Sequence, residues 1–218
     1  GQGIQLPLPP LLVGTVAILW SAYRLGPEGL LFAYAMTAAV AVAWRVLDSR
    51  DGAFRDCVAA VFAATYLPFL AGFVMLILAH PDGAHRLILF IFLPVASDTG
   101  GFFIGSLLGR HPMLPAVSPK KSWEGFAGSF GLTLIVALLL AGPLTEASIP
   151  VAILLAVAVT VAATLGDFAE SLIKRDLAVK DMGSVLPGHG GLLDRLDSLL
   201  FTAPVLYVLM GLFVPGGF

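Results

Sequence analysis

Apolar residues form long runs along this chain, and short groups of polar, glycine and proline positions separate the runs. A helix needs about 20 mostly apolar residues to cross a bilayer. Runs of this kind predict seven spanning helices, at residues 6–23, 28–47, 57–79, 87–108, 124–141, 149–172 and 193–214. The pattern therefore predicts an all-α fold, a polytopic helical bundle in a membrane.

Glycine and proline positions predict where these helices end. Gly26 and Pro27 predict the first turn, and residues 81–83 and 142–143 are expected to break later pairs of helices. Residues 48–56 fit either a short interfacial helix or a plain loop. The domain boundary is expected near residue 80, with N-terminal transmembrane helices at 1–80 and a catalytic transmembrane domain with cytoplasmic loops at 81–218.

Composition supports the membrane assignment. The 218 residues are 58% hydrophobic and only 12% charged, whereas a soluble domain carries about 25% charged residues. The net charge of −2 says little about partners, and no nucleic acid is expected. The single cysteine, Cys57, has no second cysteine in the chain with which to form a disulfide.

The basic residues predict the orientation in the membrane. In the predicted topology, only Arg24 and Arg86 fall on one side, and the other ten fall on the opposite side. The side richer in lysine and arginine is expected to be cytoplasmic.

Residues 171–197 gather a dense group of charges between two apolar runs. Asp194 and Asp197 are three residues apart, so on a helix they share a face and can converge on one cation. Helical spacing places a second set on one face, namely Asp167, Ser171 and Lys174, with Glu170 beside them. The Gly-rich residues 187–191 lead into a helix, which suits a phosphate. Carboxylates, basic side chains and such a turn together indicate phosphoryl or nucleotidyl transfer.

This stretch resembles the signature of the CDP-diacylglycerol synthases, or phosphatidate cytidylyltransferases. That signature has Ser, then Lys-Arg and Lys-Asp pairs, then His-Gly-Gly and Asp-Arg-x-Asp. The matching positions are Ser171, Lys174, Arg175, Lys180, Asp181, His189, Gly190, Gly191, Asp194, Arg195 and Asp197.

A second polar group lies in the fourth and fifth predicted spans. Asp98 stands in an apolar run, where a carboxylate is costly unless it is paired, bound to metal or facing water. Ser118 suits a helix N-cap and Pro119 the first helical position. A helix that starts there would direct its positive end toward an anion, and Lys120 and Lys121 would add positive charge. Family members carry a similar Asp-Thr-Gly span followed by Ser-Pro-Lys-Lys-Ser/Thr-Trp-Glu-Gly. Both groups fall on the same predicted side, so one shared site is expected.

The resemblance implies a reaction between CTP and phosphatidic acid that gives CDP-diacylglycerol and pyrophosphate. The lipid phosphate would attack the α-phosphorus of CTP in line, assisted by Mg²⁺, with a second cation left open. The hypothesised metal ligands are Asp98, Asp167, Asp194 and Asp197. The hypothesised catalytic residues are Asp194, Asp197, Lys174, Arg175 and His189. The hypothesised substrate-binding residues are Ser118, Lys120, Lys121, Ser171, Lys180, Asp181, Gly190, Gly191 and Arg195. Glu170 is left open as a metal ligand or as a partner of a nearby basic residue.

The resemblance also implies a bacterial inner-membrane protein with its site on the cytoplasmic face, and a homodimer. Members of that family usually have more spans ahead of this point, so missing N-terminal spans are one expectation. Related CTP-dependent lipid enzymes, a polyprenol kinase or a CDP-archaeol synthase, stay open as alternatives. An ion-coupled transporter would use Asp98 and Asp167 as an ion path, but the charges gather on one side of the predicted membrane.

Overall fold

The computed structural model describes residues 4–47, 51–177 and 193–217, with side chains in the last range from Asp197 onward. Helices make up nearly all of the described chain. In chain order the elements are α1 (Leu8–Val46), α2 (Ala53–Ala64), a π-helical turn (Thr65–Phe69), α3 (Leu70–Leu78), α4 (Gly83–Leu108), β1 (Pro112–Leu114), β2 (Ser118–Ser122), α5 (Trp123–Thr145), α6 (Ile149–Asp176) and α7 (Leu193–Phe213).

The predicted all-α membrane fold is confirmed. Five helical stretches in the described ranges are long and apolar enough to cross a bilayer: Leu8–Val46, Ala53–Leu78, Gly83–Leu108, Trp123–Thr145 and Ile149–Asp176. Asp197–Phe213 is a shorter apolar helix. The predicted count of seven is approximate, and it is reached when α7 and the two arms of α1 are counted separately.

The first helix folds back on itself at Gly26. This glycine has φ 72° and ψ −157°, values outside the helical region, and Pro27 follows it. A Cβ on Gly14 would collide with the side chain of Thr37, so residues 8–25 and 27–46 pack side by side as antiparallel arms. The predicted turn at Gly26 and Pro27 is confirmed, because only glycine adopts this backbone conformation at low cost.

The chain divides into two compact units, Gly1–Gly83 and Ala84–Phe218. In the first unit, buried Asp56 joins three segments: it pairs with Arg45 Nε at 3.1 Å and accepts a hydrogen bond from the Gln5 backbone N–H at 3.1 Å. Asp56 lies in the first turn of α2. The third span therefore begins earlier than the predicted residue 57, at Ala53. The functional roles expected for residues 1–80 and 81–218 stay predictions.

In the second unit, α4 and α5 approach each other at backbone distance. A Cβ on Gly100 would collide with the backbone oxygen of Gly128, and a Cβ on Gly128 would collide with Ile104. Ser129 Oγ donates to the Ser97 carbonyl oxygen at 2.7 Å. Small residues of this kind let membrane helices pack closely, since apolar burial gives little driving force inside lipid.

The helices α6 and α7 also pack closely, at the level of the predicted site. A Cβ on Gly166 would lie 2.8 Å from the Asp197 carbonyl oxygen and 3.1 Å from the Cβ of Phe201. At the other end of this unit, fully buried Arg86 donates from Nη2 to the Pro215 carbonyl oxygen at 3.2 Å. The Arg86 contact fixes the start of α4 against the end of α7. At the opposite end of this unit, residues of α4, α5, α6 and α7 line one cavity.

Two predictions about helix ends were wrong. Ser118 is not an N-cap and Pro119 is not helical, because residues 118–122 form β2, which pairs antiparallel with β1. The N-cap of α5 is Ser122, whose Oγ accepts the Gly125 backbone N–H at 3.1 Å. Residues 142–143 do not break α5, which continues to Thr145 and ends at Glu146 in the left-handed region.

Candidate active site

Three helices of the second unit each supply one aspartate to a single cavity of about 290 Å³. Asp98 comes from α4, Asp167 from α6 and Asp197 from α7. The strand β2 supplies Lys120 and Lys121 to the same cavity. The described lining residues are Ser97, Asp98, Gly101, Phe102, Gly105, Met113, Lys120, Lys121, Ser122, Gly125, Phe126, Ser129, Thr164, Asp167 and Asp197. The shared site expected from the sequence is therefore present as a shared cavity.

Asp98 is held by a serine that no pattern in the sequence marks as a site residue. Ser198 Oγ donates to Asp98 Oδ2 at 2.8 Å, across a separation of 100 residues. Ser198 is buried, and its backbone N–H also donates to Asp197 Oδ1 at 2.8 Å. One residue of α7 thus orients two of the three carboxylates.

Lys121 supplies positive charge to this acidic cavity. Its ammonium group forms an ion pair with Asp167 Oδ2 and lies 5.0 Å from the centre of the Phe168 ring. The Lys121 and Asp167 side chains are 25% and 27% exposed, so the pair is partly desolvated. Carboxylates in an apolar bundle need such a partner, a metal or water to offset the cost of their burial.

The N-terminus of α5 also faces the cavity, although the helix begins at Trp123 and not at Pro119, the first helical position suggested by the sequence. Its N-cap Ser122 and the first-turn residue Gly125 both line the cavity. Unpaired N–H groups and the helix dipole favour negative charge at such an end. Ser122, Ser97, Ser129 and Thr164 had not been chosen from the sequence as site residues. Of these four residues, Ser122 alone could have been chosen from the sequence, because it belongs to the Ser-Pro-Lys-Lys-Ser run that resembles the family motif.

Four other predicted residues lie near this region but not among the described lining of the cavity. Ser171 is half-buried on α6, and Ser118 pairs with Leu114 in the hairpin. Lys174 Nζ pairs with Glu170 Oε1 at 2.9 Å, so Glu170 has the basic partner that was one of its two predicted roles. The alternative role of Glu170, as a metal ligand, stays a prediction. Arg175 Nη1 donates to the Ala116 carbonyl oxygen at the tip of the β1–β2 hairpin. The catalytic and substrate-binding roles of these residues stay predictions.

Seven predicted site residues lie outside the described residues or side chains. Lys180, Asp181, His189, Gly190 and Gly191 fall between α6 and α7, and for Asp194 and Arg195 the backbone alone is described. Their predicted roles stay predictions.

The donor chemistry of the cavity fits a hard divalent cation, since Mg²⁺ prefers carboxylate oxygens. No group of three or more carboxylate, imidazole or thiol side chains among the described residues is arranged closely enough to enclose a metal by itself. The three aspartates thus supply suitable ligands, and any complete cage would draw on water, phosphate oxygens or further side chains.

Fold and site together define an integral membrane protein whose second unit contains a cavity lined by three aspartates and two lysines. The model of the cytidylyltransferase family matches residues 2–213, and the chain belongs to that family.

The relatives that match the chain carry a more specific name. The phosphatidate cytidylyltransferase of Mycobacterium leprae (strain TN) is 38% identical over 226 residues, which cover 96% of this chain and 72% of the relative. The phosphatidate cytidylyltransferase of Mycobacterium bovis is 35% identical over 223 residues, covering 96% and 73%. That of Staphylococcus saprophyticus is 37% identical over 176 residues, covering 78% and 65%.

Proposed function

We propose that this protein is a phosphatidate cytidylyltransferase, which condenses CTP with phosphatidic acid to CDP-diacylglycerol and pyrophosphate. The observation that carries the proposal is the cavity in which Asp98, Asp167 and Asp197 meet Lys120 and Lys121. The family and the names of the matching relatives support the same reaction. Both substrates present phosphates, and the cavity combines cationic side chains with ligands for a phosphate-bound cation.

In the proposed reaction a phosphate oxygen of the lipid forms a bond to the α-phosphorus of CTP. The bond from that phosphorus to the oxygen of the β-phosphate breaks, and pyrophosphate leaves. A phosphate monoester has a second pKa near 6, so the attacking oxygen is largely ionised at neutral pH and needs no general base. Lys120 and Lys121 offset the charge that two phosphate-bearing substrates bring together.

Asp98, Asp167 and Asp197 are the described residues that would hold Mg²⁺. When bound, the ion would neutralise charge on the phosphate oxygens. In the protein itself, Ser198 orients Asp98 through a hydrogen bond, and Lys121 forms an ion pair with Asp167. These contacts keep the carboxylates in place at the cavity.

We place the site on the cytoplasmic side of a bacterial membrane. Lys120, Lys121, Lys174 and Arg175 stand at one end of the second unit's helices, on the side that the charge rule assigns to the cytoplasm. A cavity at this interface can receive a soluble nucleotide and a lipid headgroup together. The expected homodimer stays a prediction.

The test is pyrophosphate release by the purified protein in detergent, with CTP, phosphatidic acid and Mg²⁺, each omitted in turn. Release that requires all three, together with CDP-diacylglycerol in the lipid extract, would establish the reaction. Formation of CDP and a phosphorylated lipid alcohol, when such an alcohol replaces phosphatidic acid, would instead identify a kinase. A matched Asp197→Asn variant shows whether release depends on this cavity.

A further inference from the structure

The β1–β2 hairpin that carries Lys120 and Lys121 is closed by one side chain from the helix that follows it. Glu124 Oε2 accepts the backbone N–H groups of Arg110 at 3.1 Å and of His111 at 3.2 Å. Glu124 Oε1 lies 2.5 Å from His111 Nδ1. The Trp123 backbone N–H donates to the His111 carbonyl oxygen at 2.9 Å. The carboxylate thus joins the chain entering the hairpin to the chain leaving it.

The hairpin is too small to hold its shape alone. It pairs a three-residue strand with a five-residue strand, Pro112 opposite Ser122 and Leu114 opposite Ser118, with an irregularity between them. Isolated two-stranded hairpins are at best marginally stable in water. Its tip is held by the hydrogen bond from Arg175 to the Ala116 carbonyl oxygen, and its base by Glu124.

The base contact sets where the two lysines lie. Lys120 and Lys121 stand four and three residues, respectively, before Glu124 on the same strand-to-helix run. Both line the cavity, and Lys121 reaches Asp167 across 46 residues of sequence. Without the Glu124 contacts, residues 110 and 111 would be held less firmly at the start of α5, and β1 would separate from β2 more often.

We infer that Glu124 is a positioning residue: it acts through Lys120 and Lys121 by fixing the hairpin that presents them to the nucleotide phosphates. This inference rests on the proposed function for the identity of the ligand. Its structural half, that Glu124 holds the hairpin, stands on the contacts alone. A carboxylate suits the task because two backbone N–H groups and an imidazole nitrogen converge on its two oxygens, and hydrogen bonds to a charged acceptor are stronger than neutral ones.

The first experiment measures the hairpin without reference to activity. Trypsin cleaves after Lys120 and Lys121, and cleavage of a folded segment follows how often it opens. We expect E124A to be cleaved in the hairpin about tenfold faster than the wild type, the change that corresponds to losing one hydrogen bond to a charged group. E124Q keeps one acceptor oxygen and should fall between the two. The control E146A removes the carboxylate at the other end of α5 and should leave cleavage unchanged.

The second experiment tests whether Glu124 acts through the lysines. CTP affinity is measured by equilibrium binding, and kcat by pyrophosphate release, for E124A, K120A and the double variant. We expect E124A to weaken CTP binding by about tenfold, with E124Q again between E124A and the wild type. In the K120A background E124A should add much less, because residues that act through one another are not additive. If Glu124 had a merely structural role, the fold-loss of CTP affinity in the double variant would equal the product of the losses in E124A and K120A.

The outcomes separate this inference from the proposed function. Unchanged tryptic cleavage in E124A, or full additivity with K120A, overturns the positioning role. Failure of the wild type to bind CTP overturns the proposed function, while the cleavage experiment still decides whether Glu124 holds the hairpin. If E124A does not fold, E124Q carries both experiments: faster cleavage and weaker binding support the inference, and wild-type values for both overturn it.

Discussion

Replacing Lys121 by methionine should destabilise the protein when no divalent cation is present. The substitution keeps the length and apolar stem of the side chain but removes the charge that pairs with Asp167. The Asp167 carboxylate would then stand uncompensated in a cavity that also holds Asp98 and Asp197. Nearby carboxylates repel one another, and a partly dry site screens that repulsion poorly.

The magnitude follows from the exposure of the pair. Breaking a fully buried ion pair costs about 3–5 kcal/mol, and exposed pairs contribute about 0–1 kcal/mol. The Lys121 and Asp167 side chains are 25% and 27% exposed, between these limits. We therefore expect a loss of about 2 kcal/mol. For a chain of this size about 1 kcal/mol corresponds to roughly 2–4 °C in Tm, so Tm should fall by roughly 4–8 °C.

The assay is thermal unfolding in detergent, with EDTA and then with Mg²⁺. A cation that binds the folded state stabilises it by mass action. Mg²⁺ should therefore reduce the difference in Tm between Lys121→Met and the wild type. Lys120→Met is the matched control. Lys120 lines the same cavity, and the structure shows no ion pair for it within the described ranges. Equal Tm losses in the two variants, or an unchanged Tm for Lys121→Met, would refute the reasoning.

Three further predictions follow from single contacts. Asp197→Asn should lower pyrophosphate release at least about 100-fold with little change in Tm, and near wild-type release would argue against a metal role. Gly128→Ala should lower Tm because its Cβ collides with α4, whereas Gly131→Ala on the same helix meets open space and should not lower it; equal Tm values would contradict the close packing. Arg45→Met should lower Tm well below that of Arg55→Met, because Arg45 is buried at 3.1 Å from its carboxylate partner and Arg55 is 53% exposed at 3.9 Å; the reverse order of Tm values would count against the buried pair.

The sequence alone was enough to predict the membrane fold and to name the three aspartates that line the cavity. Hydropathy is a local property, so runs of apolar residues predicted the helices, and the Gly26–Pro27 turn followed from backbone restrictions of those two residues. Asp98 could be chosen because charge in an apolar run is costly. Asp167 was chosen from helical spacing, and Lys120 and Lys121 were chosen from the polar run at residues 118–122 and its resemblance to the family motif.

Only the tertiary structure decided how these groups meet. Ser198 reaches Asp98 across 100 residues, and no local pattern marks that serine. Ser118 and Pro119 carry a helix-start signal, yet pairing with β1 and the contacts of Glu124 place these residues in a strand. Arg175 was predicted to be catalytic from the resemblance, and its contact with the Ala116 carbonyl oxygen at the hairpin tip could not be predicted. A short strand and a hydrogen bond between distant segments depend on packing that forms only when the helices assemble, so the sequence pattern does not encode them locally.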